Sequence, residues 1–317
     1  MHIDPFGVEI WMNEWETKCA LNLAETCVES MTIAQLLELT GQSEHALSEL
    51  LDMKMTYGAI EGSERLRTAI AALYAQQRAE NVVLTHGTIG ANMLVHRALV
   101  SSGDRVVAVV PTYQQHYSIP ASLGAEVHKL WLREEDRWLP DLDRLRALTA
   151  GGARLIALTN PNNPTGALIP RAMLEEIATI ARAADAWVLC DEVYRGTDQE
   201  GDGATASIAD VYEKGVSTAG MSKAFSLAGL RVGWVTAPRE VIALPDGTFL
   251  TRLRGPAGWA VHAADGAIVD ARNYTFVAED GNGGGMAANA MTFIDLGNGD
   301  YDIVLAGEVS RDGLITS

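Results

Sequence analysis

The amino-acid sequence predicts an α/β protein of three layers, in which a mostly parallel sheet lies between two layers of helices. Short β-branched runs recur between residues 81 and 237, and helical patterns separate several of them. Buried strands that alternate with helices are typical of parallel sheets covered on both faces. The predicted strands are 81–84, 105–110, 126–130, 155–159, 187–190, 216–219 and 232–237. Ligands bind beyond the strand ends of such sheets, so we expect the function to reside in the loops there.

Three stretches predict helices between or before these strands. Gly62 and Ser63 precede apolar residues at helical spacing, and Ser63 is a suitable N-cap. Residues 170–184 show the clearest helical pattern, and Pro170 suits its first helical position. Residues 32–39 fit a shorter helix.

Composition excludes several classes of protein. The chain has 317 residues, 48% of them apolar, which is ordinary for a globular protein. Its net charge of -17 argues against a general nucleic-acid-binding surface, which would be basic. No apolar run is long enough for a membrane helix, and no signal peptide is visible. Three cysteines without metal-ligand spacing indicate reduced thiols, so we expect a cytoplasmic protein without a metal site.

Two loops carry groups suited to covalent chemistry and anion binding. Lys223 lies among small and hydroxyl residues, and Arg231 follows eight positions later. A nearby positive charge lowers the pKa of an amine and can also hold an anion. A solvated surface lysine is the alternative. Gly87 and Thr88 lie between a strand and a helix, where free backbone N–H groups can bind an anion, although an ordinary turn is equally compatible.

Further motifs follow other strands, and together they point to one family. The motifs are Tyr57-Gly58, Gly87-Thr88, Pro111-Thr112-Tyr113, Asn162-Asn163-Pro164-Thr165-Gly166, Asp191-x-x-Tyr194 and Ser222-Lys223, with Arg231 eight residues after the lysine. In this order and spacing, the series resembles the pyridoxal-phosphate-dependent aminotransferases of fold type I, class I/II. The resemblance covers roughly residues 50–238 and implies the PLP-dependent transferase fold.

The resemblance implies a catalytic role for several side chains. Lys223 would form a Schiff base with pyridoxal phosphate and move the substrate α-proton. Asp191 would bond the pyridine nitrogen and keep it protonated. Asn163 and Tyr194 would hydrogen-bond the phenolic oxygen of the cofactor, and Tyr113 would stack on its ring.

The resemblance also implies how the cofactor phosphate is held. The implied contacts are the N–H groups of Gly87 and Thr88 and the side chains of Ser222 and Arg231, with Ser217 as a further candidate. The family often has a phosphate-binding serine three residues before the lysine, where this chain has Gly220. That contact is therefore expected to be missing or to have moved to Ser222.

The resemblance also implies a homodimer with shared active sites, on the evidence of one tyrosine. Tyr57 matches the tyrosine that reaches the phosphate of the neighbouring subunit. Gly7 and the aromatic residues around it match an N-terminal arm, residues 1–40, that lines the substrate entrance. Its apolar residues 6–12 are expected to pack on a neighbouring subunit or domain.

After the large domain, predicted as residues 41–238, the resemblance stops. The family would continue with a small domain whose arginine binds the substrate carboxylate. Residues 239–317 instead contain no lysine and many Asp and Gly residues. Alternating stretches at 274–278, 291–296 and 301–305 suggest β-hairpins. The segment is either a replacement β-rich domain or a poorly ordered tail, and Arg252, Arg254, Arg272 and Arg311 are unranked candidates for the carboxylate ligand.

The resemblance implies transfer of an amino group from an amino acid to a 2-oxo acid. Two alternatives stay open at this point. Another reaction of an amino acid on the same cofactor, by a lyase, racemase or oxidase, would use the same site. In the second alternative, the protein binds the cofactor as an inactive scaffold, without turnover, because no residue binds the substrate carboxylate.

Overall fold

We analysed a computed structural model of the chain. It describes residues 3–16, 18–24, 26, 28–42, 46, 48–49, 51–54, 56, 58–197, 204–242, 249–255, 258–262, 268–271, 290–295 and 301–306. The chain divides into two compact units, Met1–Ile242 and Ala243–Ser317. Residues 1–40, expected as an arm, belong to the first unit.

A seven-stranded sheet forms the centre of the first unit. Its strands are β1 (Val82–His86), β2 (Arg105–Val110), β3 (Glu126–Trp131), β4 (Leu155–Thr159), β5 (Trp187–Asp191), β6 (Gly215–Gly220) and β7 (Val232–Thr236). Their order in the sheet is β1-β7-β6-β5-β4-β2-β3. Strands β3, β2, β4, β5 and β6 pair in parallel, and β7 runs antiparallel to both of its neighbours. The prediction of a mostly parallel sheet between helices is confirmed.

The first unit also contains helices before, between and after the strands, and several of them pack on the sheet. The helices are α1 (Gly7–Trp15), α2 (Ile33–Thr40), α3 (Glu64–Ala71), α4 (Gly87–Leu99), α5 (Gln115–Ser122), α6 (Leu142–Thr149), α7 (Arg171–Ala183), α8 (Ile208–Val211) and α9 (Arg239–Ile242). Ser63 caps α3 as predicted, since its hydroxyl accepts a hydrogen bond from the Leu66 N–H at 3.3 Å. Pro170 is the N-cap of α7 rather than its first residue, because its backbone is extended with ψ of 158°.

Two clusters of buried side chains hold the layers together. The larger cluster joins α6 and α7 to the central strands through residues such as Ile156, Leu174 and Ile177, all fully buried. The smaller cluster joins α3 to β1 and β7 through Ile70 and Trp234. Burial of one large aliphatic side chain contributes about 1.5–3 kcal/mol, so these clusters fix the strand ends that carry the loops.

The second unit is described through its strands. They are β8 (Phe249–Gly255), β9 (Gly258–His262), β10 (Ile268–Ala271), β11 (Ala290–Asp295) and β12 (Tyr301–Ala306). Strands β11 and β12 pair in antiparallel register from Ala290 opposite Ala306 to Asp295 opposite Tyr301. This pairing matches the predicted hairpin at 291–305, whereas the predicted strand at 274–278 lies outside the described residues.

Within the described ranges, no helix is both long enough and apolar enough to cross a bilayer.

Candidate active site

Lys223 lies in the loop that follows β6, three residues after the strand ends at Gly220. Its Nζ donates a hydrogen bond to Thr26 Oγ1 at 2.9 Å. The Tyr194 hydroxyl donates to the same oxygen at 3.0 Å. Thr26 belongs to the N-terminal segment, which is fixed here because the Ser226 hydroxyl donates to the Glu29 carbonyl. The amine, the phenol and the threonine hydroxyl therefore form one polar cluster.

Asn163 reaches this cluster because two other asparagines shape its loop. Asn160 closes the loop through bonds in both directions with the Ile169 backbone, at 3.1 and 2.8 Å. The Asn162 amide donates to Thr165 Oγ1 at 2.8 Å. The Asn163 side chain is left to point at the site, where its Nδ2 donates to the Tyr194 hydroxyl at 3.3 Å. These two side chains, predicted to share one cofactor oxygen, lie next to each other.

Asp191 is the last residue of β5 and is almost fully buried. Its Oδ1 accepts a hydrogen bond from the Val193 N–H at 3.0 Å. Its Oδ2 accepts from Asn92 Nδ2 at 2.8 Å and lies 3.6 Å from His116 Nε2. Buried carboxylates need such donors, because desolvation penalises an unpaired charge. The carboxylate is thus held in one orientation at a parallel-strand end.

An anion cradle lies at the start of α4. Gly87 has a φ of +69°, and a Cβ there would lie 2.7 Å from Arg231 Nη2, so the guanidinium packs directly on the glycine. The Gly87 N–H donates to the Arg231 carbonyl at 2.8 Å, so the expectation that it contacts the phosphate needs correction. Among the described residues, the buried Thr88 hydroxyl has no hydrogen-bond partner. A positive side chain, a helix N-terminus and an unsatisfied hydroxyl together suit a phosphate.

Thr88 occupies the space beside Gly220, the position at which the family often has a phosphate-binding serine. A Cβ at Gly220 would lie 2.4 Å from Thr88 Oγ1, so in this arrangement the threonine hydroxyl fills the place of a side chain there. Ser222 lines the cavity beside Lys223. The expectation that Ser217 adds a phosphate contact is wrong, because Ser217 is fully buried in β6 and hydrogen-bonds the Tyr74 hydroxyl at 3.1 Å.

Tyr113 forms a wall of the site with the N-terminal helix. Its hydroxyl donates to Glu9 Oε1 at 2.8 Å, and its ring meets Phe6 edge-on at 4.6 Å between centroids. Burial, then the bond to Glu9, raises the pKa of Tyr113. Residues 6–12 were expected to pack on a neighbouring subunit or domain, and Phe6 and Glu9 contact Tyr113, which belongs to the predicted large domain of the same chain.

One cavity of about 510 Å³ joins these groups. The predicted site residues that line it are Thr88, Tyr113, Asn163, Asp191, Tyr194, Ser222, Lys223 and Arg231. Tyr57, Arg272 and Arg311 lie outside the described residues. Arg252 and Arg254 lie on β8, of which only the backbone is described. Among the described residues, no group of His, Cys, Asp and Glu side chains could hold a metal ion.

Sequence reasoning missed three residues of the site. Thr26 carries no motif, and its contact with Lys223 spans 197 positions of the chain. Asn92 follows the glycine turn by one helical turn, a spacing that could have placed it below the anion cradle. His116 follows Tyr113 by three residues, but its approach to Asp191 depends on how α5 packs.

Fold and cavity define a class of protein: an α/β protein whose strand-end loops place a lysine beside an anion cradle. The family model "Aminotransferase class I and II" matches residues 38–247. The chain belongs to this family, whose cofactor is pyridoxal phosphate.

Three similar proteins support the assignment. Arginine–pyruvate transaminase of Pseudomonas aeruginosa is 30% identical over 70% of this chain and 58% of its own length. Capreomycidine synthase of Streptomyces vinaceus is 30% identical over 74% of this chain and 60% of its own. A crystal structure of a PLP-dependent aminotransferase from Streptococcus suis has a TM-score of 0.73 and 41% identity, covering 76% of this chain and 64% of that one. The chain thus spans about 60% of the length of the curated relatives.

Proposed function

We propose that this protein binds pyridoxal phosphate and transfers an amino group between an amino acid and a 2-oxo acid. The observation that carries the proposal is that Lys223, Asp191, Thr88 and Arg231 line one cavity. The unpartnered Thr88 hydroxyl and the guanidinium on Gly87 fit the phosphate, and Asp191 fits a ring N–H. Family membership and the similar transaminase support the same reaction.

Each side chain has a distinct task in this reaction. Pyridoxal phosphate, when bound, supplies an aldehyde and a ring that withdraws electrons from the substrate α-carbon. The Lys223 amine binds the cofactor and afterwards carries a proton from and to the substrate Cα. Asp191 accepts a hydrogen bond from the ring nitrogen, and Arg231 binds the phosphate. Asn163 and Tyr194 orient the ring oxygen, and Tyr113 covers the cavity.

A second candidate reaction uses the same residues. One of the relatives of similar identity is a synthase, capreomycidine synthase, and not a transaminase by name. A different transformation of a cofactor-bound amino acid would also need Lys223 as the proton carrier and Asp191 at the ring. The two functions differ in products: a transaminase converts its donor into the 2-oxo acid and leaves the cofactor as pyridoxamine phosphate.

The test is an absorption spectrum of the purified protein with pyridoxal phosphate, followed by addition of single amino acids. We expect a visible band that an amino-acid donor bleaches, with one equivalent of 2-oxo acid formed. Arginine and pyruvate are a suitable first donor and acceptor, because the similar transaminase is named for them. A band that no amino acid changes would contradict the transaminase and favour the cofactor-binding scaffold. Release of another product would favour the second candidate.

The proposal includes a homodimer. Of the exposed large apolar side chains among the described residues, most lie before residue 61, including Trp11, Trp15, Leu21 and Leu23. A second copy of the chain would bury this surface, in keeping with the implied role of Tyr57. Light scattering after size exclusion should give twice the chain mass of 34.0 kDa. A cytoplasmic location also stays part of the proposal, and Cys19 and Cys190 are free thiols.

A further inference from the structure

Asn92 is buried on α4 and connects two parts of the candidate site. It is 1% exposed, so its amide must find partners inside the protein. Its Nδ2 donates to Asp191 Oδ2 at 2.8 Å, and its Oδ1 accepts from Thr218 Oγ1 at 2.6 Å. The same Nδ2 also donates to Gln115 Oε1, at 3.4 Å between the nitrogen and the oxygen. Every polar atom of the Asn92 side chain is thereby used.

The orientation of the amide follows from its partners. A carboxylate oxygen can only accept, so the amide must present its NH₂ group to Asp191. The Asn92 oxygen then faces Thr218, whose hydroxyl has to donate. Thr218 is fully buried on β6, directly opposite Asp191 of β5 in the parallel register. The Asp191 carboxylate therefore fixes which way the Asn92 amide points, and the Thr218 hydroxyl holds the amide in that orientation. In return, Asn92 holds one carboxylate oxygen of Asp191 while the Val193 N–H holds the other.

This arrangement joins the two ends of the proposed cofactor site. Helix α4 begins with Gly87 and Thr88 at the anion cradle, and Asn92 follows Thr88 by one turn. One turn advances a helix by about 5 Å, so a single rigid element sets the spacing between the cradle and the Asp191 carboxylate. The lysine loop is not involved in this spacing.

We propose that Asn92 and Thr218 are positioning residues that hold the Asp191 carboxylate in the orientation that bonds the ring nitrogen of pyridoxal phosphate. The inference rests on the proposed function. Thr218 acts through Asn92, and Asn92 acts through Asp191. A donor lost beside a buried carboxylate leaves that group free to turn toward other partners, and the bond to the ring nitrogen weakens.

The alternative is that Asn92 merely satisfies a buried charge. The two explanations differ in their dependence on the ring nitrogen. If Asn92 orients Asp191 toward that atom, its loss should matter only for a ligand that has the atom. If Asn92 only supports the fold, its loss should weaken every ligand of the cavity equally.

The experiment compares pyridoxal phosphate with its deaza analogue, in which carbon replaces the ring nitrogen. Dissociation constants of both compounds are measured by tryptophan fluorescence for the wild-type chain and for Asn92→Leu and Thr218→Val. Thr149→Val is the matched control, because Thr149 is also buried and its hydroxyl bonds the Leu145 and Arg146 carbonyls of its own helix. Circular dichroism reports whether each variant folds. If Asn92→Leu does not fold, Thr218→Val alone tests the proposal.

We expect the wild-type chain and Thr149→Val to prefer pyridoxal phosphate to the same extent. In Asn92→Leu and Thr218→Val this preference should fall by about tenfold, mainly through weaker binding of pyridoxal phosphate. Equal weakening of both compounds, or an unchanged preference, would overturn the inference and leave the proposed function in place. A folded wild-type chain that binds neither compound would overturn the proposed function and the inference with it.

Discussion

The Lys223 amine and the Thr26 hydroxyl lie 2.9 Å apart, although 197 positions of the chain separate them. The same hydroxyl accepts from Tyr194 at 3.0 Å. A residue of the N-terminal segment therefore contacts the proposed proton carrier directly. The segment is held there by the bond from Ser226 to the Glu29 carbonyl and by the Met31 N–H, which donates to the Ser226 carbonyl at 3.3 Å.

Thr26→Val removes this hydroxyl at nearly constant volume. Lys223 and Tyr194 each lose a partner, so the amine should sample more orientations during proton transfer. We expect kcat for amino-group transfer to fall by about tenfold, with KM changed less. Thr26→Ser keeps the hydroxyl and should retain most of the activity. Steady-state kinetics at saturating cofactor measure both values, and a valine variant with the wild-type kcat would show that the contact has no catalytic role.

Lys223→Ala removes the only described group placed to bind the cofactor covalently in this cavity. The variant should fold, show no visible cofactor band and incorporate no label on borohydride reduction, and its kcat should drop by at least about a thousandfold. Lys214→Ala is the control, since Lys214 pairs with Asp185 away from the cavity. If Lys223→Ala stayed yellow and borohydride-reducible, the assignment of this lysine would be wrong.

Arg231→Gln tests the anion cradle. The guanidinium packs on Gly87 at the start of α4, and a neutral amide gives a weaker bond to phosphate. Affinity for pyridoxal phosphate should fall by about 10–100-fold, whereas affinity for pyridoxal, which has no phosphate, should change little. Arg182→Gln, at an exposed pair with Glu213, supplies the control. Equal losses for both ligands in Arg231→Gln would contradict a phosphate contact.

Strand positions and strand-end loops could be predicted because they depend on local sequence. A run such as 105–110 is β-branched and apolar on both faces, and it forms β2 with the predicted bounds. Asn163 and Tyr194 could be predicted to meet because their loops follow β4 and β5, which are neighbours in a parallel sheet. Strands β4 and β5 are consecutive along the chain and also adjacent in the sheet.

Contacts that depend on packing could not be predicted. The position of Thr26 is set by a loop that crosses from the N-terminus to Ser226, and no periodic pattern encodes that path. Ser217 was misassigned because its side-chain direction in β6 follows from the pleat, and the partner Tyr74 comes from a distant segment. The hairpin β11–β12 was visible in the alternation of residues, but the site of carboxylate binding is not encoded there by any motif.

Glu192, next to Asp191, gives a pH-dependent contribution to stability. Burial raises the pKa of its carboxyl to about 7, although Arg195 and bonds from Ile208 and Ser207 oppose the shift. The folded-state pKa exceeds the ordinary value of 4.5, so the folded chain retains a proton that the unfolded chain has lost between about pH 4.5 and 7. In that window the contribution of Glu192 to the free energy of unfolding falls as pH rises, in total by about 3 kcal/mol.

Glu192→Gln should abolish the decrease in the free energy of unfolding with rising pH, because the amide stays neutral. Its oxygen can still accept a hydrogen bond from the Ile208 N–H. Urea unfolding from about pH 4.5 to about pH 8 measures the free energy of unfolding of both chains. Relative to the wild-type chain, the free energy of unfolding of Glu192→Gln should increase as pH rises. This difference should level off above about pH 7. Glu134→Gln gives the background for loss of an exposed carboxylate. A glutamine variant whose stability relative to the wild-type chain does not change across this range would show that the Glu192 carboxyl is ionised in the folded protein throughout.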